Sequence, residues 1–249
     1  MRALVVRHDH ASLPGWIGER LTEHGYVLHE VTVVPSDRHH SPNVDFTFPD
    51  IVDYDLLVPL GAPWSVYDRA AIGSWIDGEL ALLRDAHTLD FPVLAICFGA
   101  QALATALGGT VRPAPRPEIG WMTVESHEPG LVPAGPWFQL HFDHFSIPPG
   151  ALELARSAVG PQAFRIGRSL GVQFHPELTE EILQLWIGMG LAQKPRTLGL
   201  DPDELLARTQ ALREMSRQRA RDLVDAFLTQ VVEAGTAGWP PTTETRPAC

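Results

Sequence analysis

The chain has 249 residues, enough to bury a full core, and its 19 Lys and Arg against 30 Asp and Glu leave a net charge of −11. That balance repels nucleic acid and anionic membrane surfaces, so neither is expected as a partner. The cysteines, Cys97 inside an apolar run and Cys249 in a polar tail, argue against a structural disulfide and for a reducing, cytoplasmic setting.

Ala3 to Val6 is closed at once by Arg7, His8 and Asp9, which is no signal peptide, and no apolar run is long enough to span a bilayer. Leu4 to Arg7 instead predicts a first strand, followed by a helix over Pro14 to His24 that Gly25 ends and a strand over Tyr26 to Val34. His8 and His10 read as solvated loop histidines near the carboxyl edge, where open α/β sheets bind ligands. Pro35 to Pro49 is polar and proline-bearing and predicts an excursion loop before a strand over Asp55 to Leu60. A helix over Arg69 to Asp85 and a short buried strand over Pro92 to Ile96 follow. This alternation predicts a parallel sheet covered on both faces. From Val111 to Gln173 short runs punctuated by Pro and Gly predict mixed or antiparallel strands. Leu178, Ile182, Leu185, Trp186 and Met189 then keep helical spacing behind a Thr179 cap, and Asp203 to Glu233 predicts one long helix with a stripe of Leu212, Leu223, Phe227 and Val231.

Cys97 stands where the strand gives way to Phe98-Gly99-Ala100-Gln101-Ala102-Leu103-Ala104, which reads as the opening of a helix. A thiol delivered by a strand to a helix N-terminus is a nucleophile elbow: the helix end favours the thiolate, and Gly99 removes the Cβ that would crowd the turn. Such a nucleophile needs a base, and the base needs a group that fixes its tautomer. His175 and Glu177, close together at the end of a second strand, are of the right type. Gln101, four residues after Cys97, shares its helical face. His141, Asp143 and His144 are of metal-ligating type, yet no second cluster with closed-site spacing accompanies them, so they read as hydrogen-bonding residues and no metal is expected. Gly61 and Gly108-Gly109 lack dinucleotide-binding spacing, and no cofactor is expected.

These segments resemble the class I glutamine amidotransferases of the triad type. Cys97-Phe98-Gly99-Ala100-Gln101 is similar to the family's elbow, Gly171-Val172-Gln173-Phe174-His175-Pro176-Glu177 to its base segment and Gly61-Ala62-Pro63 to its oxyanion loop. Pro117-Glu118-Ile119-Gly120-Trp121 and His141-Phe142-Asp143 are similar to segments of stand-alone members that resemble the amidotransferase part of GMP synthase. The resemblance implies an α/β, flavodoxin-like three-layer domain over residues 1–192, leaving 193–234 as a C-terminal helical extension and 235–249 as a disordered tail. It implies hydrolysis of a γ-glutamyl amide, typically glutamine, through a thioester on Cys97, with His175 moving protons and Glu177 holding the imidazole. The oxyanion would be met by the N–H groups of Ala62 and Phe98, and Gly61, Gln101, His141, Phe142 and Asp143 would line the substrate pocket. The implied partners are a small γ-glutamyl substrate and a synthase subunit that accepts the ammonia.

Two departures carry consequences. Many relatives have Gly-Gly-Pro where this chain has Gly61-Ala62-Pro63, so the loop is competent only if Ala62 keeps a negative φ. Phe142 stands where relatives that use free glutamine often have Gly, and its ring would narrow the amino-acid end of the pocket or wall a larger substrate. Two other readings stay open: a γ-glutamyl peptidase whose leaving group is a larger amine, and a silent module that binds a metabolite or protein.

Overall fold

The computed structural model describes residues 1–191 and 201–234. Its first half alternates as the sequence predicts: β1 (Arg2–Arg7), α1 (Gly15–Glu23), β2 (Val27–Thr32), β3 (Leu56–Pro59), α2 (Arg69–Thr88), β4 (Val93–Ile96) and α3 (Phe98–Ala106). Five strands follow, β5 (Val111–Ser126), β6 (Gly135–Phe145), β7 (Leu152–Arg156), β8 (Pro161–Ile166) and β9 (Ser169–Val172). The chain then enters α4 (Glu180–Trp186), α5 (Pro202–Ala211) and α6 (Arg213–Phe227). All nine strands form one sheet in the order β2-β1-β3-β4-β9-β8-β7-β5-β6. Strands β2, β1, β3, β4 and β9 pair in parallel, whereas β8, β7, β5 and β6 continue antiparallel.

Period-two alternation sorts the central strands between two cores. Ala3, Val5, Leu56, Val58, Leu94 and Ile96 face a layer that includes Ile17 and Leu21 of α1 and Leu223 and Phe227 of α6. Leu4, Val6, Leu57, Val93 and Ala95 face α2 and α3. This is a flavodoxin-like three-layer arrangement. No described helix is long and apolar enough to cross a membrane.

Two expectations need correction. The single helix over Asp203 to Glu233 is two helices, because Leu212 (φ −97, ψ 1) leaves the helical run and returns its N–H to Arg208 and Thr209. The break lets each part follow its own surface. Leu205 of α5 packs with Ile119 and Phe138 of the β5–β6 hairpin, and Trp121 Nε1 donates to Thr209 at 2.9 Å. The stripe of Leu223, Phe227 and Val231 is fully buried in the α1-side core. Leu212 sits at the junction and is only partly buried. His8 is the second correction: it is fully buried, its ring packed against Trp75 and Phe98 at 5.8 and 4.6 Å between centroids. The predicted tail over 235–249 lies outside the described residues.

Candidate active site

The strand β4 ends at Ile96 and hands the chain to Cys97, whose φ of 51 and ψ of −108 place a non-glycine residue in the left-handed region. Only Asp90 shares a positive φ among the other described non-glycine residues. The turn is fastened on both sides, since Cys97 N–H donates to Val172 O at 2.8 Å and Gly99 N–H to Leu60 O at 3.0 Å. A Cβ on Gly99 would fall 2.3 Å from Pro59 O, so this position admits no side chain without moving the backbone. A backbone conformation this costly persists only where the surroundings over-determine it, as these bonds do.

His175 lies three residues beyond β9, and its N–H donates to Phe138 O of β6 at 2.9 Å. The imidazole Nδ1 is 2.7 Å from Glu177 Oε1. A carboxylate only accepts, so Nδ1 carries the proton in this bond. Trp16 N–H holds the Glu177 carbonyl at 3.1 Å, which ties the segment to the start of α1. Nε2 is buried and meets no aligned hydrogen-bond partner among the described residues. Burial disfavours the imidazolium, but the Glu177 charge and then that of Cys97 outweigh it and hold the His175 pKa well above 6.5. Gly61 sits against both groups: a Cβ there would lie 3.2 Å from His175 Cε1 and 3.7 Å from Cys97 Cβ.

A cavity of about 370 Å³ opens beside Cys97. It gathers Gly61, Ala62, Phe98 and Gln101 on the elbow side and His141, Phe142 and Asp143 from β6, with His175 between them. Glu177 stands behind His175 and does not line it. Ala62 avoids positive φ, so its Cβ is accommodated. Neither the Ala62 nor the Phe98 N–H has a partner among the described residues. Gln101 Nε2 lies 3.3 Å from Asp143 O and 3.2 Å from Gln173 Oε1, while Gln173 Nε2 points at Cys97 Sγ from 3.7 Å. Both carboxylate oxygens of Asp143 accept hydroxyls, from Ser65 and from Tyr67 at 2.8 Å. His141 Nδ1 is 2.9 Å from Asp143 O, and its Nε2 is 3.1 Å from Glu118 Oε2. Burial raises the Glu118 pKa, yet His141, Ser157 and Gln162 reverse that and hold it below 4.5. Phe142 lines the cavity and is 40% exposed.

Some participants were not legible by type alone. Trp186 stacks edge-on to His175 at 4.9 Å, and it lines the cavity with Met189, although both read as core positions of a helix. His8 Nε2 pairs with Glu79 Oε1 at 2.9 Å, and burial of the ring is outweighed by the Glu79 charge, so the His8 pKa is raised. The sequence signal was Glu79 itself, a carboxylate on the stripe of Ile72, Trp75, Ile76 and Leu83. Asp9 and His39, which line the cavity, and the neighbouring His10 bring donor atoms within 4.8 Å of one another, the one group among the described residues of a kind that could hold a metal ion. Asp9 is already engaged there by Ala11 N–H at 2.9 Å and lies 2.8 Å from Ser12 Oγ.

Known proteins resemble this chain in sequence and in fold. Residues 10–183 match the family model described as glutamine amidotransferase class-I. A GMP synthase (glutamine-hydrolysing) of Aeropyrum pernix is 38% identical over 155 residues, which is 57% of this chain and 28% of that protein. A separate GMP synthase (glutamine-hydrolysing) subunit of Sulfolobus acidocaldarius is 29% identical over 144 residues, 54% of this chain and 73% of that protein. The chain spans only 28% and 23% of the full-length GMP synthases of A. pernix and Thermomicrobium roseum. A glutamine amidotransferase structure from Thermotoga maritima superposes with a TM-score of 0.79 at 24% identity, covering 94% of this chain and 98% of that one.

Proposed function

Because the chain belongs to the class-I glutamine amidotransferase family, we propose that it hydrolyses the side-chain amide of a γ-glutamyl compound, glutamine foremost, by way of a thioester on Cys97. The observation that carries this reading is the pairing of His175 Nδ1 with Glu177 at 2.7 Å beside a strained, cavity-lining Cys97. The thiol proton passes to His175 Nε2 as sulfur attacks the amide carbon. The oxygen that gains charge is met by the N–H groups of Ala62 and Phe98, which have no partner among the described residues. His175 then protonates the leaving ammonia, and the C–N bond breaks to leave the γ-glutamyl thioester. A water deprotonated by His175 attacks that carbonyl, releasing glutamate and restoring the thiol. Glu177 keeps the imidazole oriented throughout.

The amino-acid end of the substrate would lie near Gln101, His141, Phe142 and Asp143, which line the cavity, with the Asp143 carboxylate available to an ammonium group. Released ammonia reaches an acceptor only if a synthase partner adjoins the site, and the subunit organisation named for the S. acidocaldarius relative fits that arrangement. The presence of a residue as large as Phe142 in the cavity lining favours a second reading, a γ-glutamyl peptidase acting on a larger amine conjugate. The test is incubation with glutamine and a panel of γ-glutamyl amides, with glutamate and released amine both quantified. Equimolar glutamate and ammonia from glutamine support the first reading, and turnover restricted to bulky amides supports the second. Turnover of none contradicts both.

A further inference from the structure

The Gly61–Ala62 peptide carries one of the two N–H groups the proposed mechanism needs, and its carbonyl is held by two side chains. Gly61 O lies 3.2 Å from His8 Nδ1 and 2.8 Å from Ser12 Oγ. No described peptide bond is cis, and in a planar trans peptide the C=O and N–H point to opposite sides. A carbonyl turned toward His8 and Ser12 therefore turns the Ala62 N–H away from them. Rotation of this single peptide would aim an acceptor oxygen where negative charge must be stabilised.

The two donors are not equivalent. Ser12 Oγ is also 2.8 Å from Asp9 Oδ1, and one hydroxyl proton serves either the carboxylate or the carbonyl. His8 faces acceptors on both ring nitrogens, Glu79 Oε1 at 2.9 Å and Gly61 O at 3.2 Å. Only the imidazolium donates to both. Its partner is a fully buried glutamate, and a carboxylate in that setting demands a paired cation.

We propose that Glu79 and His8 form a buried ion pair that positions the Gly61–Ala62 peptide with its N–H toward the cavity, acting on the reaction through that peptide and without touching substrate. Ser12 is auxiliary. The catalytic consequence rests on the hydrolytic reading above, whereas the peptide's orientation does not depend on it.

The test removes the pair together, as His8→Leu with Glu79→Leu, because exchanging a buried ion pair for apolar residues is often neutral for stability. A crystal structure of this variant should show the Gly61–Ala62 peptide rotated or in two orientations. Its kcat should fall about 100-fold, the scale of losing one oxyanion donor, with KM little changed and the rate of Cys97 alkylation by iodoacetamide unchanged. An unrotated peptide with wild-type kcat overturns the proposal. If no γ-glutamyl amide is turned over by the wild type, the hydrolytic reading fails and the crystal structure alone decides the peptide's orientation. Should the double variant not fold, ¹⁵N NMR of the histidine rings in the wild-type chain decides instead: both His8 nitrogens protonated supports the pair, and a bare nitrogen at either position overturns it.

Discussion

Holding a non-glycine residue in the left-handed region costs on the order of 1–3 kcal/mol, and at Cys97 that strain is opposed by hydrogen bonds to β9 and from Gly99 to Leu60. The same residue faces an imidazole whose Glu177 and Cys97 partners keep its pKa above 6.5 against the effect of burial. Replacing His175 by Ala should therefore slow alkylation of Cys97 by about tenfold or more, with Cys249 as an internal control; equal rates at both thiols in wild type and variant would show that the two side chains are not coupled. Stability carries a matching signature. A folded-state pKa above the unfolded value contributes stability that is full below pH 6.5 and is lost as pH rises through the folded pKa. The Tm advantage of wild type over His175→Gln should shrink as pH is raised, and an advantage that grows would contradict the pairing. Phe142→Gly should shift the ratio of kcat/KM between free glutamine and a bulky γ-glutamyl amide by roughly tenfold or more, the scale on which apolar pockets discriminate. An unmoved ratio would make Phe142 a packing residue. The motif residues were legible at this scale because elbow chemistry demands particular types at fixed offsets. His8 was not, since its environment is built by Trp75, Glu79 and Phe98, which the sequence separates from it.

Helices and strands with clean periodicity were legible to within a few residues: α1, α2, β3 and β4 lie where alternation and capping residues place them. Thr179 caps α4 as read, its side chain accepting from Ile182 N–H. The 16-residue β5 was harder, because Pro113, Pro115 and Pro117 argue against a strand. The structure reconciles this with a register shift between Pro113 and Glu118, so that the last two prolines fall where β5 has no ladder partner. Beyond it, the Glu118 and His141 pairing joins β5 to β6 beneath the cavity. The break at Leu212 has neither Pro nor Gly to announce it and follows from tertiary packing, with α5 on the hairpin and α6 on the sheet. Phe227 is fully buried in that second contact, so Phe227→Ala should cost roughly 3–5 kcal/mol in denaturant unfolding. A loss below about 1 kcal/mol would mean that α6 contributes little to the fold.

At the scale of the whole molecule, three layers bring the ends of β4, β9 and β3 to one edge, and the groups proposed for the reaction come from there: Cys97 after β4, His175 and Glu177 after β9, Gly61 and Ala62 after β3. The antiparallel extension supplies the remaining wall through His141, Phe142 and Asp143. That convergence brings to one edge residues that the sequence grouped only through the family resemblance, since neither periodicity nor spacing relates them. On the α1 face of the sheet α6 is tied to α1, where Arg20 grips Asp225 at 2.7 Å and Arg217 bonds Glu19. Such exposed pairs fix register more than they stabilise. The central claim is that this edge forms a γ-glutamyl thioester on Cys97, and the most direct measurement is acid quenching during turnover of a γ-glutamyl amide followed by peptide mass spectrometry. The account predicts a γ-glutamyl adduct on the Cys97 peptide, absent from Cys97→Ala, which should keep the wild-type fold and lose turnover. Hydrolysis that continues in Cys97→Ala, with no adduct on the wild-type peptide, would contradict it.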